Sequence, residues 1–354
     1  VYIPKSETEK RPLGISALEN KIVERGITWI LQNIYEQDFL NCSYGFRPKR
    51  NCHQALKELN DLIMFQPVNH LVEADIKGFF DNVSHEKLME FISIRIKDTT
   101  LLELIKKFLK AGYVDEGLLV RSEEGTPQGS ILSPMLANIF LHYVLDTWFE
   151  TTVKSHVKGF CEIIRYADDF VCVVRYEDDA RRIERGLKNR FNKYDLELHP
   201  TKSRNISFGR FERENARRQK RPAHTFVFLG FTHYCDKSRS GGFKVGRKTS
   251  RKKYSAKCRE MNQWLKMIRN KVKTKEWWKT LQAKLRGHFQ YYGVSENYAG
   301  IVRFYKNTIR LVHKWMNRRS QKRKMNWVNF SKYLEHYPIP KPRIVHSFYG
   351  SPVR

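Results

Sequence analysis

One stretch of sixteen residues, Cys161 to Tyr176 (CEIIRYADDFVCVVRY), limits the fold more than any other part of the sequence. Two apolar runs rich in β-branched and aromatic residues meet at Ala167-Asp168-Asp169. That pattern reads as a β-hairpin with acids at its tip. A second apolar run, His70-Leu71-Val72-Glu73-Ala74-Asp75, also ends on a carboxylate. A buried strand that ends in an unpaired charge is costly unless that charge is paired or coordinated. Asp168-Asp169 alone could be an ordinary solvated turn. Side by side, however, the two elements would offer hard oxygen ligands to Mg²⁺, which takes one or two carboxylates and fills its shell with substrate phosphate. A pair of such ions, about 4 Å apart, is the arrangement that serves nucleotidyl transfer.

Charge is distributed just as unevenly. Residues 1–200 carry 27 basic and 30 acidic side chains, while residues 201–354 carry 39 basic and 7 acidic, a net +32. An excess confined to one end points to a polyanionic partner, nucleic acid above all. Aromatics interleave the basic residues, unlike a low-complexity basic tail. No apolar run reaches the ~18–20 residues of a membrane span, so no membrane role is expected. The cysteines 42, 52, 161, 172, 235 and 258 form no CxxC pair. They read as reduced thiols of a cytoplasmic protein, bacterial or organellar, rather than zinc ligands or disulfides. The chain opens on VYIPKSETEKRPLGI, the middle of a strand–turn–strand, and so reads as a fragment or trimmed chain.

Periodicity predicts helices over residues 17–37, 53–65, 84–97 and 100–111, with Ser84 as an N-cap. A short strand is expected at 117–122, then the loop EGTPQGS. Ser133-Pro134 opens a continuous helix, MLANIFLHYVLDTWF, with Ser133 as cap and Pro134 in its first position. A helix at 178–194 and an apolar strand at 225–231 follow. From about 250 the pattern is helical and basic: 252–273, 275–292 and 296–319. The last segment, YPIPKPRIVH, reads as extended. The composition shift near 240–250 marks the boundary between an α+β body and a basic helical appendage.

Taken together in order, several motifs become specific. They are Asp75-Ile76-Lys77-Gly78-Phe79-Phe80-Asp81, then Gly125-Thr126-Pro127-Gln128-Gly129-Ser130 with Leu132-Ser133-Pro134, then Tyr166-Ala167-Asp168-Asp169. His199-Pro200-Thr201-Lys202 and Phe228-Leu229-Gly230-Phe231 follow. The chain resembles the reverse transcriptases, specifically the group II intron-encoded kind with maturase function. Ser43-Tyr44-Gly45-Phe46-Arg47-Pro48 looks like that family's second fingers block, and Leu285-Arg286-Gly287-His288-Phe289-Gln290-Tyr291-Tyr292 like its thumb. The resemblance implies an α+β right-hand polymerase fold: fingers over 1–70, palm over 71–240 with part of the fingers, helical thumb over 245–330, and an extended C-terminal segment over 331–354.

It also implies roles. Asp75 and Asp168 would bind two Mg²⁺ ions (Mn²⁺ as a substitute), with Asp169 assisting and the Ile76 carbonyl adding a ligand. Phe79 would be the aromatic gate against a ribose 2′-hydroxyl, while one of Phe79 and Phe80 is expected to be core. Lys5 and Arg11, or Lys10 in place of Arg11, would clamp the dNTP triphosphate. Gln128 would meet the incoming nucleotide or template, and Lys202 would protonate the leaving pyrophosphate. Phe228, Leu229 and Gly230 would place the primer end, though as an apolar strand they could equally be core. Arg247, Lys248, Arg251, Lys252 and Lys253 are phosphate-contact candidates. Trp264, Trp277, Trp278, Tyr291, Tyr292 and Trp315 are expected to be mostly bundle core.

The implied partners are an RNA template, a DNA primer, dNTPs and a structured intron RNA. The family's N-terminal extension is not seen before Val1, and no Cys- or His-rich endonuclease pattern follows the thumb. Two alternatives stay open: a splicing cofactor that binds RNA without polymerising, and a relative serving retrons, diversity-generating elements or CRISPR adaptation.

Overall fold

The computed structural model describes residues 2–4, 10–12, 14–115, 118–120, 124–126, 129–200, 203–319 and 325–349, with backbone only at 2–4, 10–12, 113–115 and 118–120. The chain divides into two compact units, Val1–Lys220 and Arg221–Arg354. In the first unit the elements run β1 (Tyr2–Pro4), β2 (Lys10–Pro12), α1 (Leu18–Tyr35), α2 (Cys52–Phe65), β3 (His70–Asp75), α3 (His85–Arg95), α4 (Thr99–Lys110), β4 (Tyr113–Asp115), β5 (Leu118–Val120) and α5 (Ser133–Leu141). They continue with α6 (Lys154–His156), β6 (Cys161–Tyr166), β7 (Asp169–Val174), α7 (Glu177–Asn192), β8 (Arg204–Ser207) and α8 (Glu212–Arg218).

Helix starts follow local chemistry. Asn51 caps α2 with a full capping box, its side chain accepting from the His53 and Gln54 amides while the Gln54 side chain accepts from the Asn51 amide. Ser84 caps α3 as expected, and Asp98 caps α4. Ser133 does not cap. Helix α5 begins one residue earlier than expected, with Leu132 in the cap position and Pro134 within the first turn.

The expected uninterrupted helix after Ser133 is also corrected. Beyond Leu141 the chain widens into two π-helical segments, His142–Asp146 and Phe149–Val153. In the first of these segments polar His142 and Asp146 are buried beside Val144 and Leu145, so hydrophobic spacing does not reveal the helix pitch.

Four antiparallel strands form the central sheet in the order β6-β7-β3-β8. Buried side chains of β7 (Phe170, Cys172, Val174) pack with Leu136, Ile139 and Phe140 of α5 and with Ile183 and Leu187 of α7. Each such side chain is worth roughly 1.5–3 kcal/mol on burial. This hydrophobic core fixes the sheet from behind and leaves the ends of β3 and β7 at its margin.

The second unit has a three-stranded antiparallel sheet, β9 (Thr225–Phe228), β10 (Phe231–Lys237) and β11 (Phe243–Thr249), in the order β11-β10-β9. Helices α9 (Arg251–Ile268), α10 (Thr274–Tyr292), α11 (Tyr298–Met316) and α12 (Trp327–His336) follow. Residues 221–240, read from the sequence as palm, therefore lie in the unit that carries the basic helices, because β9 and β10 pair with β11. The segment read as extended from 331 begins instead in α12. Asn326 caps that helix, and Phe330 is wholly buried against His313 and Trp327. Among the described residues no helix is long and apolar enough to cross a membrane.

Candidate active site

Strands β3 and β7 pair in a register that sets Asp75 directly opposite Asp169. Directly opposed residues of an antiparallel pair hold their Cβ atoms about 4.5–5.5 Å apart. Asp168 occupies the turn that joins β6 to β7, one residue from Asp169. All three acids are half-buried, at the boundary between core and surface. Like charges face to face across a sheet repel, and a divalent cation would turn that repulsion into attraction. Among the described residues no three His, Cys, Asp or Glu side chains are placed so that they alone could hold a metal ion. The donors here are hard oxygens, few in number and only half-buried. That set fits Mg²⁺, which keeps several waters and takes phosphate oxygens from a substrate. The chain beyond Asp75 is fixed by two backbone bonds that flank Ile76: the His199 amide donates to the Asp75 carbonyl (2.7 Å) and the Lys77 amide to the Glu197 carbonyl (2.8 Å).

The turn itself is strained and braced. Ala167 has φ +58°, a left-handed conformation that costs a non-glycine residue about 1–2 kcal/mol. The segment Ser43-Tyr44-Gly45 lies against it. The Tyr44 amide donates to the Arg165 carbonyl (2.9 Å), and the Arg165 amide donates to the Cys42 carbonyl (2.8 Å). A Cβ on Gly45 would stand 2.4 Å from the Ala167 nitrogen, so only glycine fits. Arg47, buried, donates to the carbonyls of Leu40 and Ser43 and to the Glu36 carboxylate, which shapes the same loop.

The Gly-Thr-Pro-Gln-Gly-Ser segment is tied down on both sides. The Gly125 amide donates to the Val83 carbonyl (2.8 Å), and the Thr126 amide to that of Phe80 (2.6 Å). Gly125 has φ +83° and abuts the Phe80 and Asp81 carbonyls, which leaves no room for a Cβ. At the far side buried Glu24 accepts from the Ser130 hydroxyl (2.9 Å) and the Ile131 amide (2.7 Å). Gln128 and Lys202 lie outside the described residues, as does Lys5. Arg11 pairs with Ile3 in the β1–β2 hairpin, and its side chain is likewise outside.

Two adjacent phenylalanines are separated by burial. Phe79 is 2% exposed, with its ring 6.2 Å from that of Phe140 inside the core. Phe80 is half-buried on the rim. The expected gate at Phe79 is therefore corrected: its ring is packed in the core, and of the two neighbours only Phe80 is partly exposed.

In the second unit Phe228 and Phe231 are wholly buried, so Phe228 is core and not a primer contact. Leu229 and Gly230, with φ +48° and +81°, make the tight turn between them, and the Tyr291 hydroxyl donates to the Leu229 carbonyl (3.0 Å). Arg247, expected on phosphate, is also corrected. It is wholly buried, with its guanidinium over the Phe348 ring and an amine donating to the Tyr349 hydroxyl. Lys248, Arg251, Lys252 and Lys253 are exposed. Trp277, Trp278, Tyr292 and Trp315 are buried, Trp264 and Tyr291 half-buried.

Residues 3–233 match the family model described as "Reverse transcriptase (RNA-dependent DNA polymerase)". The chain belongs to the reverse transcriptase family. It is 34% identical to Protein YkfC of Escherichia coli strain K12 over 278 residues, 69% of this chain and 68% of that one. It is 47% identical to the group II intron-encoded protein LtrA of Lactococcus lactis over 143 residues, 40% of this chain. That match spans 24% of the LtrA length, about a quarter. Among solved structures, apo telomerase from Candida tropicalis superposes with a TM-score of 0.49 at 14% identity, covering 90% of this chain and 54% of that one.

Several residues of this candidate site escape a sequence reading. Glu24 sits in an unremarked helical pattern, and Gly45 is one glycine among 19. Their importance comes from what lies opposite them in space. The hexapeptide around Gly45 gave a family signal but no hint that it braces the acidic turn.

Proposed function

We propose that this protein is an RNA-directed DNA polymerase of the group II intron-encoded type, which adds dNTPs to a primer 3′-hydroxyl and also grips a structured intron RNA. The observation that carries this reading is the register of β3 on β7, which puts Asp75 opposite Asp169 with Asp168 at the adjoining tip. Two divalent ions, when bound, supply Lewis acidity to the 3′-hydroxyl and charge neutralisation to the triphosphate. Asp75 and Asp168 hold them, with Asp169 and the Ile76 carbonyl completing the ligand set from protein. In the reaction the primer 3′-hydroxyl loses its proton to solvent water as its oxygen forms a bond to the α-phosphorus. The bond from that phosphorus to the pyrophosphate oxygen breaks, and Lys202 gives a proton to the departing pyrophosphate.

Phe80 is the gate that rejects a 2′-hydroxyl. Gln128 meets the nucleotide or template, and Lys5 and Arg11 clamp the triphosphate. Leu229 and Gly230 seat the primer end. Lys248, Arg251, Lys252 and Lys253 hold the nucleic-acid backbone, as suits an A-form hybrid that offers little sequence to read. In this reading the palm is centred on the β6-β7-β3-β8 sheet, and the second unit carries the thumb.

The test is primer extension on poly(rA)/oligo(dT) with Mg²⁺. The parent protein makes cDNA. The variant with Asp168→Ala and Asp169→Ala makes none, yet binds the hybrid as tightly as the parent. Synthesis by that variant would refute the assignment. RNA binding and splicing stimulation by a parent protein that never incorporates dNTPs would favour the splicing cofactor instead.

A further inference from the structure

Behind the acidic turn lies a charged group wholly inside the core. Arg165, on β6, is 0% exposed, and so is its partner Asp146. The Arg165 Nε and Nη2 donate to the two oxygens of Asp146 at 2.7 and 2.5 Å, a bidentate fork. Its Nη1 donates twice more, to the Asn138 side-chain oxygen (3.0 Å) and to the Ala167 carbonyl (3.0 Å). Asn138 in turn donates to the Gly45 carbonyl (2.7 Å). The guanidinium thus reaches past its own strand end to hold the peptide that precedes Asp168. Asn138 ties down the glycine pressed against that same residue.

Helix geometry explains how one guanidinium meets both Asn138 and Asp146. Eight steps of α-helix would leave these two residues about 80° apart around the axis. The last four steps are π-helical. At roughly 4.4 residues per turn, those steps bring the two residues to within about 10° of each other. The wide turn therefore sets both side chains on the face that meets Arg165. A π-segment costs backbone hydrogen-bond quality, and such segments occur often at functional sites.

The electrostatics agree. Burial works against the Arg165 charge, but Asp146 outweighs it, and Asp168 adds to the attraction, so the guanidinium is held charged. A buried pair of this kind is a poor source of stability, since apolar replacements of both partners are often neutral.

We propose that Arg165, Asp146 and Asn138 form a positioning unit that fixes the Ala167–Asp169 turn and so sets the divalent-cation affinity of the acidic cluster. Ligands oriented by a buried second layer typically lose 10–100-fold in metal affinity or activity when that layer is removed. The inference rests on the polymerase reading for the role of the cluster, but its test does not require turnover.

The protein is titrated with Mn²⁺, and free Mn²⁺ is read by electron paramagnetic resonance. The Asp168→Ala, Asp169→Ala variant identifies the signal that belongs to the cluster. The variant carrying Arg165→Met with Asp146→Leu removes both charges together and leaves none unpaired. It is expected to melt near the parent temperature and to bind an RNA–DNA hybrid equally well. Its Mn²⁺ affinity is expected to be about 10–100-fold weaker, with a matching rise in the Mg²⁺ needed for half-maximal extension. Arg165→Lys keeps the charge but loses the fork. It is expected to shift the same way, and it serves should the double variant not fold. Mn²⁺ affinity within twofold of the parent, in whichever of the two variants folds, overturns the proposal. If the parent never extends a primer but the Mn²⁺ loss appears, the polymerase reading fails and the positioning unit stands.

Discussion

The separation of Phe79 from Phe80 gives the sharpest prediction. Phe79→Ala empties a core position that is 2% exposed. Phe-to-Ala changes at such sites cost about 3–5 kcal/mol. For a cooperative unit of this size each kcal/mol lowers the melting temperature by roughly 2–4 °C, so the variant is expected to melt about 10 °C lower. Phe80 is half-buried, and its loss costs roughly half as much, on the order of 2 kcal/mol. The functional effects run the other way. Forcing an extra hydroxyl against a packed ring costs what overpacking costs, about 1–3 kcal/mol. That is roughly 5- to 150-fold in rate. Phe80→Ala is therefore expected to raise rNTP incorporation relative to dNTP by that factor, while Phe79→Ala lowers stability and leaves the ratio unchanged. Primer extension with each nucleotide set, beside thermal melting of both variants, measures all four quantities. A gain in rNTP use by Phe79→Ala, with none by Phe80→Ala, would refute the argument from burial.

Three further outcomes are expected. Gly45→Ala puts a methyl where the Ala167 amide stands, so it should cut primer extension at least tenfold with little change in hybrid binding; full activity would show that the loop can give way. His288 is buried against Phe304, and burial, with Lys257 nearby, lowers its pKa to about 4. Its contribution to stability is complete above pH 6.5 and is lost as pH falls toward 4, by up to about 3 kcal/mol. Chemical denaturation across that range should show this slope, and His288→Phe should flatten it. Replacing Lys248, Arg251, Lys252 and Lys253 with Gln should weaken hybrid binding and reduce the slope of log affinity against log salt by up to about 0.9 for each phosphate that is no longer neutralised; an unchanged slope would mean that these four touch no phosphate.

The sequence shows its acids more clearly than what holds them in place. Hairpin, strand and motif order were legible because alternating β-branched residues and turn chemistry are local signals, and Asp75, Asp168 and Asp169 each end an apolar run. Arg247 misled because it lies in a run of basic residues, whereas in the structure it sits on β11 opposite His233, wholly buried, with its guanidinium over the Phe348 ring. Phe79 and Phe80 are identical neighbours, and a one-residue difference in direction decides which is core. The π-helical turn at 142–146 has no signature in the sequence, because its buried positions include polar His142 and Asp146 as well as Val144 and Leu145.

What the residues determined alone was the charge asymmetry, the order of the motifs and the acids at strand ends, since all of these are properties of neighbouring positions. What the tertiary structure decided was which residues stand opposite one another. Asp75 meets Asp169 across a long intervening stretch of chain, Gly45 backs Ala167, and Asp146 meets Arg165. Such pairings depend on register and helix pitch, which are set by packing over the whole core and not by the identity of either partner.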